Sequence, residues 1–184
     1  MTVPPARCAD VQVCLNLGLS TSAKLLQVGD IACCDPNLAV PLLRAYNHDA
    51  DKKDHFYTTN AKEMKTAIDM LGYAAEAVAA YVFPTPQPAT VPLYRMFNTG
   101  GVDHFYTTSF DEMQRSVLEN GYNDEGIAAH VFKTNICGSI PLYRLWSVHD
   151  TDHLYTTSIK EVNTSVAKNG YVFEGIEAYV LPVR

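Results

Sequence analysis

Three stretches of the sequence carry the same polar and aromatic side chains. Asp-His-Phe-Tyr-Thr-Thr begins at Asp54 and at Asp103, and returns at Asp152 with leucine in place of phenylalanine. Each step is 49 residues. An aspartate that orients a histidine is the pair used in general-base catalysis. Neighbouring residues of a strand point to opposite faces, however, so the two members of one pair cannot easily touch. We therefore interpret these stretches as structural or ligand-binding rather than catalytic.

One arginine precedes each of these stretches, in the pattern Pro-Leu-(Leu/Tyr)-Arg. The three are Arg44, Arg95 and Arg144. A guanidinium group is a rigid fork of donors that can bind ligand hydroxyls or a carboxylate. The alternative is a structural ion pair with the repeated acidic residues Glu76, Glu125 and Glu174 or with the aspartate of the Asp-His pair, because buried charges persist only when they are paired.

An aromatic residue lies two positions after each arginine. These residues are Tyr46, Phe97 and Trp146. Residues two apart on a strand share a face, so each ring is expected beside its arginine. A ring next to hydrogen-bonding groups suits a sugar, whose apolar face stacks while its hydroxyls bond to polar groups. The alternative is an aromatic layer of the core. Trp146 is the single tryptophan, which makes the third copy the best candidate for a working site.

These observations give one candidate ligand-binding set. It comprises Arg44, Tyr46, Asp54, His55, Tyr57, Arg95, Phe97, Asp103, His104, Tyr106, Arg144, Trp146, Asp152, His153 and Tyr155. No catalytic residue, metal ligand or cofactor is expected. Two alternatives stay open: a hydrolase or metal-dependent enzyme that uses the Asp-His pairs, including a zinc site made of the three histidines, and hairpins in which the histidines serve only structural hydrogen bonds.

The elements that must position these side chains repeat with them. The Leu-Tyr-Arg and His-Phe-Tyr-Thr stretches alternate and are rich in aromatic and β-branched residues, as strands are. Asn60, Ser109 and Ser158 each precede a glutamate by three residues, the spacing of a helix capping box. Apolar pairs four residues apart, such as Met64 and Ile68, predict the buried helix stripe. Gly72, Gly121 and Gly170 are expected to end the helices, and an Ala- and Tyr-rich third strand follows each glycine.

The sequence therefore predicts an α+β protein of three β-β-α-β repeats with pseudo-threefold symmetry, with a β-trefoil-like fold as the alternative. The expected parts of this compact domain are an N-terminal segment (1–40), repeat 1 (41–90), repeat 2 (91–139) and repeat 3 (140–184). Alternating apolar residues from Val11 to Leu19 predict one strand that closes the array. Of five cysteines, four lie in the first 34 residues. None forms a C-x-x-C pair, so we expect buried or free thiols, with a disulfide at the N-terminal segment as the alternative.

Composition excludes several classes of partner. The formal net charge is −6 and the pI is about 5.4, which argues against nucleic acid and anionic membranes as ligands. No apolar run is long enough for a membrane span. The N-terminus lacks the apolar stretch of a signal peptide. We expect a cytoplasmic protein, or one released without a classical signal unless the start is a processed one, and we leave homo-oligomerisation open.

The patterns P-L-Y-R, D-H-F-Y-T-T and G-Y-x-x-E-G-I-A resemble a repeat family of bacterial and fungal proteins that is known mainly as a domain of unknown function. The resemblance covers residues 41–184 and implies a fold more than a function. Members of that family stand alone or are joined to secreted hydrolases. Small acidic fungal proteins that stand alone also resemble lectins, and this analogy suggests a non-enzymatic carbohydrate-binding module for a glycan or glycoconjugate. A protein-interaction or defence role is the remaining alternative.

Overall fold

The computed structural model describes residues 34–49 and 53–183. A short 3₁₀ helix (Pro36–Leu38) precedes the first strand. The elements of repeat 1 are β1 (Val40–Asn47), β2 (Asp54–Thr58), α1 (Ala61–Met70) and β3 (Tyr73–Val82). Repeat 2 comprises β4 (Thr90–Asn98), β5 (Asp103–Thr107), α2 (Phe110–Glu119) and β6 (Asn123–Phe132). Repeat 3 comprises β7 (Ile140–Ser147), β8 (Asp152–Thr156), α3 (Ile159–Lys168) and β9 (Val172–Val180).

The predicted fold class, an α+β array of β-β-α-β repeats, is wrong. Strands hold 48% of the described structure and helices 22%, so the protein is mostly β, with two antiparallel sheets of which one is a half-barrel. Nor does it match the trefoil alternative, whose repeats contain no helix. The physical reason lies in the core: every residue of the largest buried cluster comes from a strand, and each helix covers only a small peripheral cluster.

The sheets do not follow the repeat boundaries. Repeat 1 forms a three-stranded sheet in the order β2-β1-β3, whereas repeats 2 and 3 share a six-stranded sheet in the order β5-β4-β6-β9-β7-β8. The two repeats join through the pair Phe132 and Tyr179. Among the described residues, the backbone of repeat 1 pairs with this sheet only in two isolated bridges, from Tyr81 to Leu181 and from Phe83 to His130.

Side chains of successive repeats meet at the centre of the molecule. The buried cluster there takes a leucine from the first strand, a tyrosine from the second and small or branched residues from the third strand of each repeat. The tyrosines Tyr57, Tyr106 and Tyr155 are each 1% exposed, and their rings lie edge to face with centroids 5.4–5.6 Å apart. Each of the strands that carry these tyrosines, β2, β5 and β8, therefore turns one edge toward a common axis. We call this edge the inner edge.

The helix starts differ from the predicted capping box in one respect. Asn60 Oδ1 accepts a hydrogen bond from the backbone N–H of Glu63, as predicted, and Ser109 and Ser158 do the same in their repeats. The glutamate does not return a bond to the backbone of the cap residue. Instead the N–H of Asn60 donates to the hydroxyl of Thr58, and that hydroxyl donates to the Glu63 carboxylate. The Glu63 carboxylate can therefore also accept hydrogen bonds from a side chain of another repeat.

The predicted ends of the helices are confirmed, whereas the predicted buried stripe fails in α1 and α3 and holds in part in α2, where Val117 is partly buried and packs against the cluster of Met113. In α1, Met64 and Ala67 are buried whereas Ile68 is exposed. A ten-residue helix lying over the outer face of a hairpin presents only a narrow face, which here takes residues three apart. Gly72, Gly121 and Gly170 follow the helices with φ of +82°, +73° and +75°, the left-handed conformation that glycine adopts at least cost.

The N-terminal strand predicted at residues 11–19 lies outside the described residues, as do three of the five cysteines. Cys34 is a buried free thiol, whereas Cys137 is disulfide-bonded. No helix within the described ranges is both long enough and apolar enough to cross a membrane.

Candidate functional site

The three repeated tyrosines lie in the core, away from any cleft. The Tyr106 hydroxyl donates to the carbonyl of Tyr57 at 2.7 Å and accepts from its N–H at 2.9 Å. Tyr155 makes the same pair of bonds with Tyr106, and Tyr57 makes it with Tyr155. Within the described ranges, no strand pairs with the inner edge of any second strand, so the hydroxyls take over the backbone bonds that a neighbour would provide. These residues of the candidate set hold the repeats together.

The aspartates and histidines also pair between repeats. His55 Nδ1 lies 2.7 Å from Asp152 Oδ2, and the backbone N–H of His55 donates to Asp152 Oδ1 at 2.7 Å. His104 contacts Asp54 and His153 contacts Asp103 in the same way. The expectation that Asp54 and His55 do not touch is confirmed. Each aspartate also accepts from the hydroxyl of the tyrosine that follows the helix of its own repeat: Tyr73, Tyr122 or Tyr171.

The protonation state of this network follows from the carboxylates. Burial would raise the pKa of Asp152, but hydrogen bonds from His55 and Tyr171 and the charge of His55 hold it below its usual range. Asp152 is therefore ionised and can only accept, so His55 Nδ1 must donate to it. In neutral His55 the other ring nitrogen, Nε2, is then an acceptor. The hydrogen bond between His55 Nδ1 and Asp152 therefore leaves Nε2 as the ring nitrogen that a ligand can contact.

The aspartates are the one grouping of described residues whose ligand atoms are close enough to hold a cation. Carboxylate oxygens of Asp54, Asp103 and Asp152 lie within 4.8 Å of one another, and all three residues are 0% exposed. Each already accepts a backbone N–H, an imidazole nitrogen and a phenol hydroxyl. The three-histidine zinc alternative does not fit either, because the ring nitrogens of the three histidines are not among the described ligand atoms that lie close enough to share an ion.

The arginines bind glutamates from two different repeats. Arg95 contacts Glu63 of repeat 1 through both terminal nitrogens, at 3.1 and 2.8 Å, and its Nε lies 2.8 Å from Glu125 of its own repeat. Arg44 contacts Glu161 and Glu76 in the same way. The predicted ion pairs with Glu76, Glu125 and Glu174 are confirmed. The second set of partners, Glu63, Glu112 and Glu161, was missed, although these residues repeat at the same spacing.

Arg144 has the most complete shell of carboxylates. Its terminal nitrogens lie 3.0 Å from both oxygens of Glu112, its Nε donates to Glu174 at 2.8 Å, and Nη1 also donates to Glu177 at 2.8 Å. Partial burial would raise the pKa of Glu112, but hydrogen bonds from Arg144 and Thr107 and the charge of Arg144 lower it. Glu112 is consequently ionised at neutral pH, and the guanidinium is fully neutralised by its surroundings.

Two pockets lie at the junctions between repeats. The first, which we call the Trp146 pocket, has a volume of about 510 Å³ and lies between α2 of repeat 2 and the β7–β8 hairpin of repeat 3. Its lining includes Trp146, Arg144, His153, Glu174, Glu112, Arg115 and Glu119. The second, the Tyr46 pocket, has a volume of about 430 Å³ and lies between the β1–β2 hairpin and α3. Its lining includes Tyr46, His48, Lys53, His55, Glu76, Asp150 and Glu161.

The aromatic residues of the candidate set stack on the histidines. The Trp146 ring lies 4.3 Å from His153, Tyr46 lies 4.2 Å from His55, and Phe97 lies 4.5 Å from His104. Tyr46 has a second neighbour, His48, edge-on at 4.5 Å. Burial and nearby carboxylates, Asp152 first among them, raise the pKa of Tyr46 to about 12, so its phenol stays protonated. All three aromatic residues are half-buried and keep a surface that faces solvent.

The structure thus divides the candidate set in two. The aromatic residues and histidines of repeats 1 and 3, and Arg144, line pockets, whereas the tyrosines are sealed in the core and the aspartates are buried behind the histidines. Each pocket takes its helix side from one repeat and its hairpin side from another. Sequence reasoning missed these helix residues because it treated each repeat as a separate unit.

The matched family model agrees with the extent of the repeats. No curated protein and no solved structure is similar enough to this chain to count as a match. The family model described as a domain of unknown function (DUF5648) matches residues 41–181, which include every pocket residue named above. The chain belongs to this family.

Proposed function

We propose that this protein is a non-enzymatic carbohydrate-binding module whose binding sites are the pockets between repeats. One observation carries the proposal: the half-buried indole of Trp146 shares a pocket of about 510 Å³ with glutamate side chains and an imidazole. That volume is in the usual range for small-molecule sites. An aromatic face beside fixed hydrogen-bonding groups is the arrangement that a pyranose ring requires.

The polar groups support a ligand with many hydroxyls. Arg144, Glu112 and Glu174 hold one another in place, so their unused acceptor positions are fixed before a ligand arrives. Preorganised groups lose little conformational entropy on binding. Both pockets combine an aromatic ring, a histidine and at least two glutamates. Two related sites on one molecule would raise avidity for a multivalent glycan even where each site binds weakly, and homo-oligomerisation would raise it further.

A glycan array with four proteins tests the proposal. Wild type should bind a defined group of glycans, and Trp146→Ala should weaken that binding by about tenfold or more, the loss of one aromatic stacking contact. Phe173→Ala is the matched control, because Phe173 is an exposed aromatic residue of the same repeat that lines neither pocket. Tyr46→Ala measures how much of the glycan binding comes from the Tyr46 pocket.

Circular dichroism must show that all four proteins are folded. A blank array for folded wild type at high protein concentration would refute sugar binding. Equal losses for Trp146→Ala and Phe173→Ala would move the site away from the pocket.

A second candidate function is favoured by the Asp103–His153 pair. Its geometry, with Nδ1 at 2.7 Å from the carboxylate and the ring lining a pocket, is that of a general base. His153 Nε2 lies 4.0 Å from a Glu174 oxygen, so the imidazole would act between two carboxylates. Hydrolysis of chromogenic glycosides and esters that is lost in His153→Asn would establish this activity. Turnover that survives the substitution would dismiss it.

A further inference from the structure

The Trp146 pocket offers a ligand more free hydrogen-bond acceptors than free donors. Arg144 places its nitrogens against Glu112, Glu174 and Glu177, which uses the donors that would otherwise bind an anionic ligand. The second arginine of the pocket, Arg115, is exposed and makes no ion pair with another described residue, and Glu119 lies four residues after it on the same helix face. At Arg144, a carboxylate or sulfate group on a ligand would have to displace one of the glutamates.

The remaining acceptors lie on more than one side of the pocket, because Glu112 is on α2 and Glu174 is on β9. The Glu174 and Glu112 side chains are each 30% exposed, and an ionised carboxylate offers about four acceptor positions. Because Asp103 holds His153 Nδ1, Nε2 is the ring nitrogen left for a ligand. The Trp146 face completes the site, and an indole face attracts a cation. A ligand that carries donors and a positive charge matches each of these groups.

In the Tyr46 pocket the chain itself supplies a positive charge, that of Lys53. Lys53 places its ammonium group 2.7 Å from Asp150 in that pocket. At the equivalent positions of the Trp146 pocket the chain has Thr151 and Gly101, neither of which carries a charge. All three carboxylates that line the Tyr46 pocket are therefore in ion pairs, with Lys53 or with Arg44, whereas Glu119 of the Trp146 pocket makes no ion pair with another described residue.

We propose that the Trp146 pocket selects protonated amino sugars over their neutral, N-acetylated and anionic counterparts. This inference rests on the sugar-binding function proposed above and names its substrate class. The protonated amine of the sugar donates hydrogen bonds to carboxylates of the pocket. Glu174 and Glu119 are the residues that determine the preference. The Tyr46 pocket, with Lys53 in place, has no such preference.

Isothermal titration with three β-1,4-linked trimers that differ only at carbon 2 tests the inference. The probes are the trimers of glucosamine, glucose and N-acetylglucosamine at pH 6, where the amine is protonated. We expect the glucosamine trimer to bind about tenfold more tightly than the other two, the effect of one added charge interaction. Glu174→Gln should remove most of this difference, because it should weaken binding of the glucosamine trimer more than binding of the glucose trimer. Raising the salt concentration should weaken only the glucosamine trimer.

Two further variants keep the test decisive. Glu119→Gln, at an exposed helix position, replaces Glu174→Gln if that variant does not fold. Asp111→Asn is the matched control, because Asp111 is an exposed acidic residue of the same helix that does not line the pocket. An equal loss in Asp111→Asn and Glu174→Gln would mean general attraction to an acidic surface and would overturn the inference. Equal affinities for the three trimers would overturn it while leaving sugar binding in place, whereas a blank array together with silent titrations would overturn both.

Discussion

Replacing Tyr106 by phenylalanine removes one hydroxyl from the centre of the molecule and leaves the ring in place. That hydroxyl donates to the carbonyl of Tyr57 and accepts from its N–H, and both residues are 1% exposed. The strand edge that carries these two backbone groups faces the axis, where no neighbouring strand lies. The substitution therefore leaves one donor and one acceptor buried without a partner.

The size of the effect follows from those two groups. A buried polar group that loses its partner costs about 1–3 kcal/mol. Phenylalanine no longer has to bury a hydroxyl of its own, which offsets part of the loss. We expect the free energy of unfolding to fall by about 2–4 kcal/mol, a large share of the roughly 5–15 kcal/mol typical of a domain. Tyr57→Phe and Tyr155→Phe should fall by similar amounts, because each hydroxyl serves the next repeat in the same way.

Urea unfolding, followed by the fluorescence of the single tryptophan, Trp146, and by circular dichroism, measures this loss. Tyr94→Phe is the control, because Tyr94 is a half-buried tyrosine of the same repeat outside the central cluster, and we expect a change within about 0.5 kcal/mol. The reasoning fails if Tyr106→Phe lowers the free energy of unfolding no more than Tyr94→Phe does, with an unchanged dependence of that free energy on urea concentration.

Two other predictions concern the charged network. The pKa values of Glu63, Glu112 and Glu161 are lowered in the folded protein, so the unfolded chain takes up protons first as the pH falls. Their stabilising contribution is present above the ordinary value of 4.5 and is lost below it. The urea midpoint should drop steadily between pH 5 and pH 3, and a flat profile would contradict this. Glu177→Ala removes a buried carboxylate that accepts from Thr108 and Arg144, and should lower the free energy of unfolding by about 1–3 kcal/mol, measured in the same assay. Repeats 1 and 2 have alanine at this position, so no loss would mean that Arg144 is satisfied by its other partners.

Local features of the fold were predictable, and its overall class was not. The alternation of Leu-Tyr-Arg, the cap residues and the glycine after each helix act within a few residues, so the strands and helices they predict are present. The balance between strand and helix depends on which elements fill the core. The strands alone supply the central cluster, and no local pattern reveals that.

The candidate site shows the same division. The arginines and aromatic rings were found because residues two apart on a strand share a face. Their partners were not, because Arg44 meets Glu161 across 117 residues of sequence and His104 meets Asp54 across 50. The repeated glutamates after the cap residues carried the only local signal, and it was assigned to capping.

The sequence by itself determined that three similar segments carry the same polar and aromatic side chains, and where each segment turns, starts a helix and ends it. Only the tertiary structure decided that the side chains of one segment bind those of the next. The physical reason is that the inner strand edges converge on an axis without neighbours, so aspartate and tyrosine side chains from adjacent repeats must bond to them. The same convergence places the helix of one repeat against the hairpin of another and creates the pockets there.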